Sequence, residues 1–242
     1  MPPPAPSPST PPTPPRPPPR FTSIIELSRE HPSGHRSVRV MDVGIFGAGY
    51  FGLSLAGLFD RAGHTVHIAS HHIDEVSAAV ADRGLRHTHP GDIDLVTDSS
   101  TILIGAVPWL QLPALAKELP DLEGKIWVDP ANPYVREDDG SVTLLSTDGR
   151  PTSAVVAELF PKAQLVKAFN NFTTPMFRSG PLTSLGRIVA PMAGDHPAAL
   201  CRVADLIKTT GFVPIIIGNI TDSTALEPNG PLHRLSIPPI AP

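Results

Sequence analysis

From Met41 onward, short apolar runs alternate with amphipathic stretches. Val43-Gly44-Ile45-Phe46 leads straight into a glycine-rich turn, which predicts a buried parallel strand. Across residues 51–62, Leu55, Leu58, Phe59 and Ala62 recur at helical spacing, and Gly63 supplies the stop. Thr65 to Ala69 reads as a second strand with Val66 and Ile68 alternating, and residues 74–83 as a short helix. A strand is expected near Leu95-Val96, and a stronger one from Ile102 to Val107, closed by Pro108. Leu110 to Leu119 predicts a helix, Ile126-Trp127-Val128 a strand, and residues 130–150 a long polar loop. Beyond it, residues 152–160 suggest a helix, and Leu165-Val166 and Ile188-Val189 two strands. From Ala198 to Thr209 a helix gathers Leu200, Val203, Ala204 and Ile207 on one face and ends at Gly211. The run Phe212 to Ile217 is the last strand, and Pro214 assigns it to a sheet edge.

Strands alternating with helices imply an α/β, Rossmann-type, doubly wound and mainly parallel sheet. No long helical segment follows it, so no separate helical substrate domain is expected. Composition sets the boundaries. Of 31 prolines, 12 lie in the first 20 residues, a stretch that cannot bury apolar surface. Residues 1–40 are therefore expected to be a disordered Pro-rich tail, residues 41–225 the folded domain and residues 226–242 a second Pro-rich tail.

The net charge of −4 is dispersed, with no basic stripe for nucleic acid. Cys201 is the single cysteine, which excludes an internal disulfide and a cysteine-based metal site and fits a reducing cytoplasm. No apolar run approaches the roughly 18 residues of a membrane span.

The chemistry centres on Gly47-Ala48-Gly49-Tyr50-Phe51-Gly52. This GxGxxG follows a strand and opens a helix, the context in which it reads as a dinucleotide site. Gly47 permits the turn, Gly49 the approach of a pyrophosphate, and Gly52 close helix–strand packing. The helix N-terminus adds N–H donors and partial positive charge. At the end of the second strand, where NAD-selective folds place an acid for the ribose 2′-hydroxyl, this chain has Ser70-His71-His72. A hydroxyl and two imidazoles can hydrogen-bond a 2′-phosphate, which favours NADP over NAD, although Asp74 or Glu75 could turn back to a ribose.

Other residues tempt less. His64 reads as a structural turn residue, and His87 and His89 as solvated loop residues rather than metal ligands. Cys201 reads as packing and Trp127 as core, while Trp109 suits either a nicotinamide neighbour or a core anchor.

Four segments together resemble a known group: Met41 to Gly52, Ala106-Val107-Pro108-Trp109, Asp129 to Tyr134, and Val166-Lys167-Ala168-Phe169-Asn170. The chain resembles the NADP-dependent reductases of the deazaflavin coenzyme F-420, and the related cytoplasmic reductase domain of STEAP-type metalloreductases, over residues 41–230. The resemblance implies that Val107, Pro108 and Trp109 lie beside the nicotinamide and that the Asn132-Pro133 loop crosses the nucleotide. It places Asn170 near the stacked hydride acceptor. The family has Ser-Arg where this chain has Ser70-His71, and imidazole lacks the permanent bidentate charge of arginine. Family members typically begin at a methionine just before the first strand, where Met41 sits, so residues 1–40 are expected to be an added tail or a misassigned start. The chain ends without the longer helical finish of the deazaflavin reductases. A homodimer is compatible with the resemblance.

The expected function is hydride transfer between NADP(H) and a small-molecule acceptor, coenzyme F-420 or a flavin, which needs ring alignment rather than a protein acid or base. Two alternatives stand beside it: an imine or carbonyl reductase with Tyr134 as proton donor, and a non-catalytic NADP-binding redox sensor.

Overall fold

Val43 to Phe46 are all buried, and their side chains feed two different cores. This is the first strand, β1 (Asp42–Phe46), of a computed structural model that describes residues 39–184 and 186–233. It is followed by helix α1 (Tyr50–Arg61), β2 (Thr65–Ala69), α2 (Ile73–Asp82), β3 (Thr88–Gly91), α3 (Ile93–Ser99) and β4 (Ile102–Gly105). A 3-10 turn (Trp109–Gln111) leads into α4 (Leu112–Glu118) and β5 (Ile126–Asp129). Next come a hairpin of β6 (Tyr134–Arg136) and β7 (Val142–Leu144), then α5 (Thr152–Leu159), β8 (Gln164–Lys167) and α6 (Thr174–Ser179). After a small β9–β10 hairpin (Leu182–Thr183, Gly186–Arg187) the chain forms β11 (Val189–Gly194), α7 (Pro197–Thr209), β12 (Val213–Gly218) and a 3-10 segment (Ile220–Ala225).

Eight strands make one sheet in the order β12-β11-β8-β5-β4-β1-β2-β3. All neighbours are parallel except β8 and β11, which run antiparallel at Lys167–Ala193 and Val166–Gly194. Alternation within each strand sorts the core into two layers. Val43, Ile45, Ile102, Ile104, Ile126, Val128 and Val166 face α1 and α7 through Leu55, Phe59, Val203 and Ile207. Phe46, Leu103, Trp127 and Leu165 face α3, α4 and α5 through Val96, Leu112, Leu115 and Val156. Trp127 anchors the second layer, stacked between Phe46 at 5.8 Å and Phe160 at 3.9 Å. The expected Rossmann-type class is the observed one, and β12 does hold the sheet edge.

Several expectations give way. Leu95-Val96 lies in helix α3, capped by the Asp92 carboxylate accepting from Leu95 N–H at 2.8 Å; only one face of that helix needs burial, so a short apolar pair mimicked a strand. The strand is Thr88–Gly91 instead, read as polar loop because an edge strand is held by main-chain bonds to β2 without an apolar run. Buried Asp60 aims that strand, accepting from His87 N–H at 2.7 Å and Thr88 Oγ1 at 2.8 Å. The loop 130–150 contains the β6–β7 hairpin. Residues 226–233, assigned to a tail, pack onto the domain: Leu226 is buried, and Glu227 accepts from Thr152 N–H at 2.8 Å. The rest of that segment and residues 1–38 lie outside the described residues. Cys201 faces outward on α7 and does not pack. Among the described residues no helix is long and apolar enough to cross a membrane, and no cluster of three or more His, Cys, Asp or Glu side chains could hold a metal ion.

His64 is structural. Fully buried, its Nδ1 accepts from Met41 N–H at 3.2 Å. The proton therefore sits on Nε2, which donates to Thr209 Oγ1 at 2.6 Å, while that hydroxyl donates to the Leu206 carbonyl at 2.6 Å. Burial holds its pKa below the ordinary imidazole value, so the unfolded chain binds the proton more readily. This contribution is complete above about pH 6.5 and is lost as pH falls through the lowered folded value. The urea midpoint should fall as pH drops below that point. His64→Gln should lower stability at pH 7.5 and flatten the acid-side slope, checked by urea titration at a series of pH values.

Candidate functional site

The sheet runs outward in opposite directions from β1 and β4, so loops at their C-terminal ends diverge and leave a crevice. Ala106 N–H donates to the Phe46 carbonyl at 2.8 Å and holds the two loop bases together. Gly47 turns the chain with φ 104°, a conformation that favours glycine, and a Cβ there would come within 2.6 Å of the Ala106 carbonyl oxygen. A Cβ on Gly52 would overlap the carbonyl oxygen of Gly47, so the first turn of α1 can close only over hydrogen.

Gly49 differs from both. It is the N-cap of α1, no side chain caps that helix end, and a Cβ there would meet nothing. The backbone thus opens a shaped space above uncapped N–H groups and the positive end of a 12-residue helix. This is the cradle a pyrophosphate requires, and it fits a dinucleotide by its own geometry. Beside it Phe51 packs edge-on against Phe177 at 5.4 Å, and exposed Tyr50 lies under Arg178 at 5.8 Å.

A cavity of about 660 Å³ opens from the crevice toward β2. It brings together six residues expected from sequence: Gly47, Ala48, Ser70, His71, His72 and Val107. Ser70 Oγ accepts from His72 N–H at 3.0 Å and so has its own hydrogen free to donate. His71 is 80% exposed at its side chain and points to Glu118, Nε2 to Oε2 3.8 Å. Asp92, Asp94, Gln111 and Glu118 also line the cavity, and none was expected from sequence. The cap signal of Asp92 before Ile93 was readable, as was the shared helical face of Gln111, Ala114, Leu115 and Glu118. What that face looks onto was not.

Pro108 and Trp109 do not line this cavity; Trp109 packs part-buried against the second core layer, which favours its anchoring role. Asn132 and Asn170 meet elsewhere, past the ends of β5 and β8. Asn132 Nδ2 donates to the Asn170 carbonyl at 2.8 Å, and Asn170 Nδ2 donates to Asn132 Oδ1 at 3.1 Å and to the Leu226 carbonyl at 2.7 Å. Asn170 Oδ1 is buried without a partner. The preceding Phe169 has φ 65°, a strained conformation for a bulky side chain, which its aromatic cluster with Phe59, Phe172 and Phe177 holds in place.

Beneath this pair lies a buried ion pair. Lys167 Nζ donates to Asp129 Oδ2 at 3.0 Å, to the Ala131 carbonyl at 2.5 Å and to Thr152 Oγ1 at 3.2 Å. Asp129 also accepts from Ser153 Oγ at 3.0 Å and from Ala131 N–H at 2.9 Å. Tyr134, the candidate donor, has its hydroxyl 3.5 Å from Nε2 of His233, whose Nδ1 lies 2.9 Å from the Leu226 carbonyl. His233 fell in the segment read as tail.

The chain is similar in sequence and fold to known proteins. The family described as NADP oxidoreductase, coenzyme F420-dependent, matches residues 42–133. The metalloreductase STEAP3 of Rattus norvegicus is 26% identical over 206 residues, 85% of this chain but 38% of that protein, so the chain spans about two fifths of that relative. A hypothetical protein of Sinorhizobium meliloti superposes with a TM-score of 0.72 at 26% identity, over 81% of this chain and 94% of that one. A proposed F420-dependent NADP-reductase from Arthrobacter sp. FB24 superposes at 0.65 and 24% identity, over 76% and 87%, and shares the fold. So does a reductive aminase from Aspergillus terreus, at 0.55 and 16% identity, over 76% of this chain and 57% of that one. The resemblance read from the four sequence segments is thereby shown.

Two substitutions separate architecture from binding. Lys167→Met should cost about 3–5 kcal/mol, because it strands a buried carboxylate, and urea denaturation will read it. Gly49→Ala should cost about 1 kcal/mol or less in the same assay, yet weaken NADPH binding roughly tenfold by filling the cradle.

Proposed function

We propose that the chain, whose residues 42–133 match the family described as NADP oxidoreductase, coenzyme F420-dependent, binds NADPH across the crevice and reduces a deazaflavin or flavin acceptor. The observation that carries the nucleotide reading is the cradle: two glycines whose side-chain positions are blocked by backbone, and a third that opens onto an uncapped helix end.

In this reading the nicotinamide supplies the hydride when bound. The chain's own residues bind and orient. The first-turn amides of α1 hold the pyrophosphate, and Ser70, His71 and His72 hold the adenosine 2′-phosphate. Val107, Pro108 and Trp109 border the nicotinamide, with Trp109 fixed by the core behind it. Asn132 and Asn170, locked to one another, form a rigid wall at the acceptor end. Ring-to-ring hydride transfer asks mainly for alignment and exclusion of water, so no protein acid or base is assigned to it.

One contact favours the second reading, reduction of an imine or carbonyl. Such a substrate needs a proton, and the Tyr134 hydroxyl beside His233 is a donor with a relay partner. Reductive aminases share the fold.

The test follows NADPH absorbance in the presence of coenzyme F-420, FMN, FAD or a cyclic imine. Oxidation with F-420 or a flavin, unaffected by Tyr134→Phe, is the expected result. Turnover of the imine alone, lost in Tyr134→Phe, would replace the first reading with the second. Tight NADPH binding with no turnover would make the chain a sensor.

A further inference from the structure

The cavity that would take the adenosine end of NADPH is lined by three carboxylates, Asp92, Asp94 and Glu118, and by no lysine or arginine among the described residues. A 2′-phosphate is a dianion near neutral pH, so this lining opposes it unless positive charge is supplied. Only two lining groups can become cationic, His71 and His72. Asp92 is committed to capping α3, and its carboxylate cannot turn away without freeing the Leu95 amide. Asp94 stands on the same first turn, next to the cavity. Glu118, at the end of α4, faces His71 directly at 3.8 Å.

We infer that recognition of NADP(H) by this chain is coupled to proton uptake, with His71 leaving Glu118 and binding the 2′-phosphate as imidazolium. This rests on the NADP reading of the cavity and adds the means by which the acidic pocket tolerates a phosphate. Imidazole is the side chain whose charge changes between pH 5 and 8, and a dianion at hydrogen-bonding distance favours its protonated form. The proton comes from solvent. Linkage then fixes the sign: if the complex holds more protons than the free partners, affinity for NADPH falls as pH rises. NADH presents a ribose hydroxyl there, so it has no need of the proton and its affinity should be nearly flat with pH. Discrimination between the two nucleotides is thus greatest in mild acid and narrows with alkalinity, unlike that of a site built on arginine, whose charge is permanent. Glu118 acts as a positioning residue: its carboxylate stands beside the imidazole, and its charge opposes the incoming phosphate.

Calorimetric titration of the full chain with NADPH and with NADH tests this at pH 7.5, where a phosphate monoester is already almost wholly dianionic. Running each titration in buffers of different ionisation enthalpy yields the protons exchanged. The expected result is net proton uptake with NADPH and none with NADH. His71→Arg should retain NADPH binding and abolish the uptake. Glu118→Gln should tighten NADPH roughly two- to fivefold and leave NADH unchanged, the scale of an exposed ion pair. The side chain of His71 is 80% exposed, so these substitutions act on binding rather than on folding. Equal exchange with both nucleotides, or uptake that survives His71→Arg, would overturn the inference while leaving the NADP reading intact. Failure of both nucleotides to bind would overturn the inference and the NADP reading together.

Discussion

A lysine ammonium with no exposure to solvent stands at the end of β8, an interior strand of the sheet, against the last residue of its neighbour β5. Its cost is high, since a buried charge loses its hydration and must recover it from fixed partners. Lys167 recovers it from Asp129, the Ala131 carbonyl and Thr152 Oγ1, and each partner belongs to a different piece of the chain. The ends of β5 and β8, the turn into the Asn132 loop and the start of α5 are thereby tied to one point. Glu227 extends the tie by accepting from the Thr152 amide and from Ser223 Oγ. The C-terminal segment therefore closes on the domain, and the Asn132–Asn170 pair, bonded to Leu226, inherits its rigidity.

That constraint divides the crevice by physical character. At the β1–α1 end its wall is backbone: glycines leave open space, and a helix terminus offers donors with no side chain involved. At the β5–β8 end it is a pair of side-chain amides locked in a buried network, beside a left-handed phenylalanine held by a packed aromatic cluster. On the far side of β1, near β2, the lining is titratable and exposed. On the proposed reading, a rigid nicotinamide end and a charge-tunable adenosine end suit a reaction whose chemistry belongs to the cofactor and whose selectivity belongs to the protein.

Much of this was legible in the chain. Strand β1, the glycine turn and helix α1 were recognisable because each rests on local requirements: an apolar run, positive φ and helical periodicity. Strand β3 was not, because an edge strand made of Thr88-His89-Pro90-Gly91 is held by hydrogen bonds to a neighbour 20 or so residues away and carries no periodic signal. Helix α6 was missed for a similar reason: six residues with a proline in second place fall below the length at which periodicity is readable.

By itself, then, the sequence determined the fold class, the position of the phosphate loop and the residue types offered at the end of β2, since all three follow from short-range sterics and hydrogen bonding. Only the tertiary structure decided which groups meet. Glu118, some 47 positions from His71, reaches it because α4 packs beside the β2 end of the sheet. Lys167 and Asp129, 38 residues apart, pair because their strands are adjacent in register. His233 joins Tyr134 across 99 residues because the C-terminal segment folds back onto the domain. Contacts of that range depend on strand order and register, and no local window of sequence contains either.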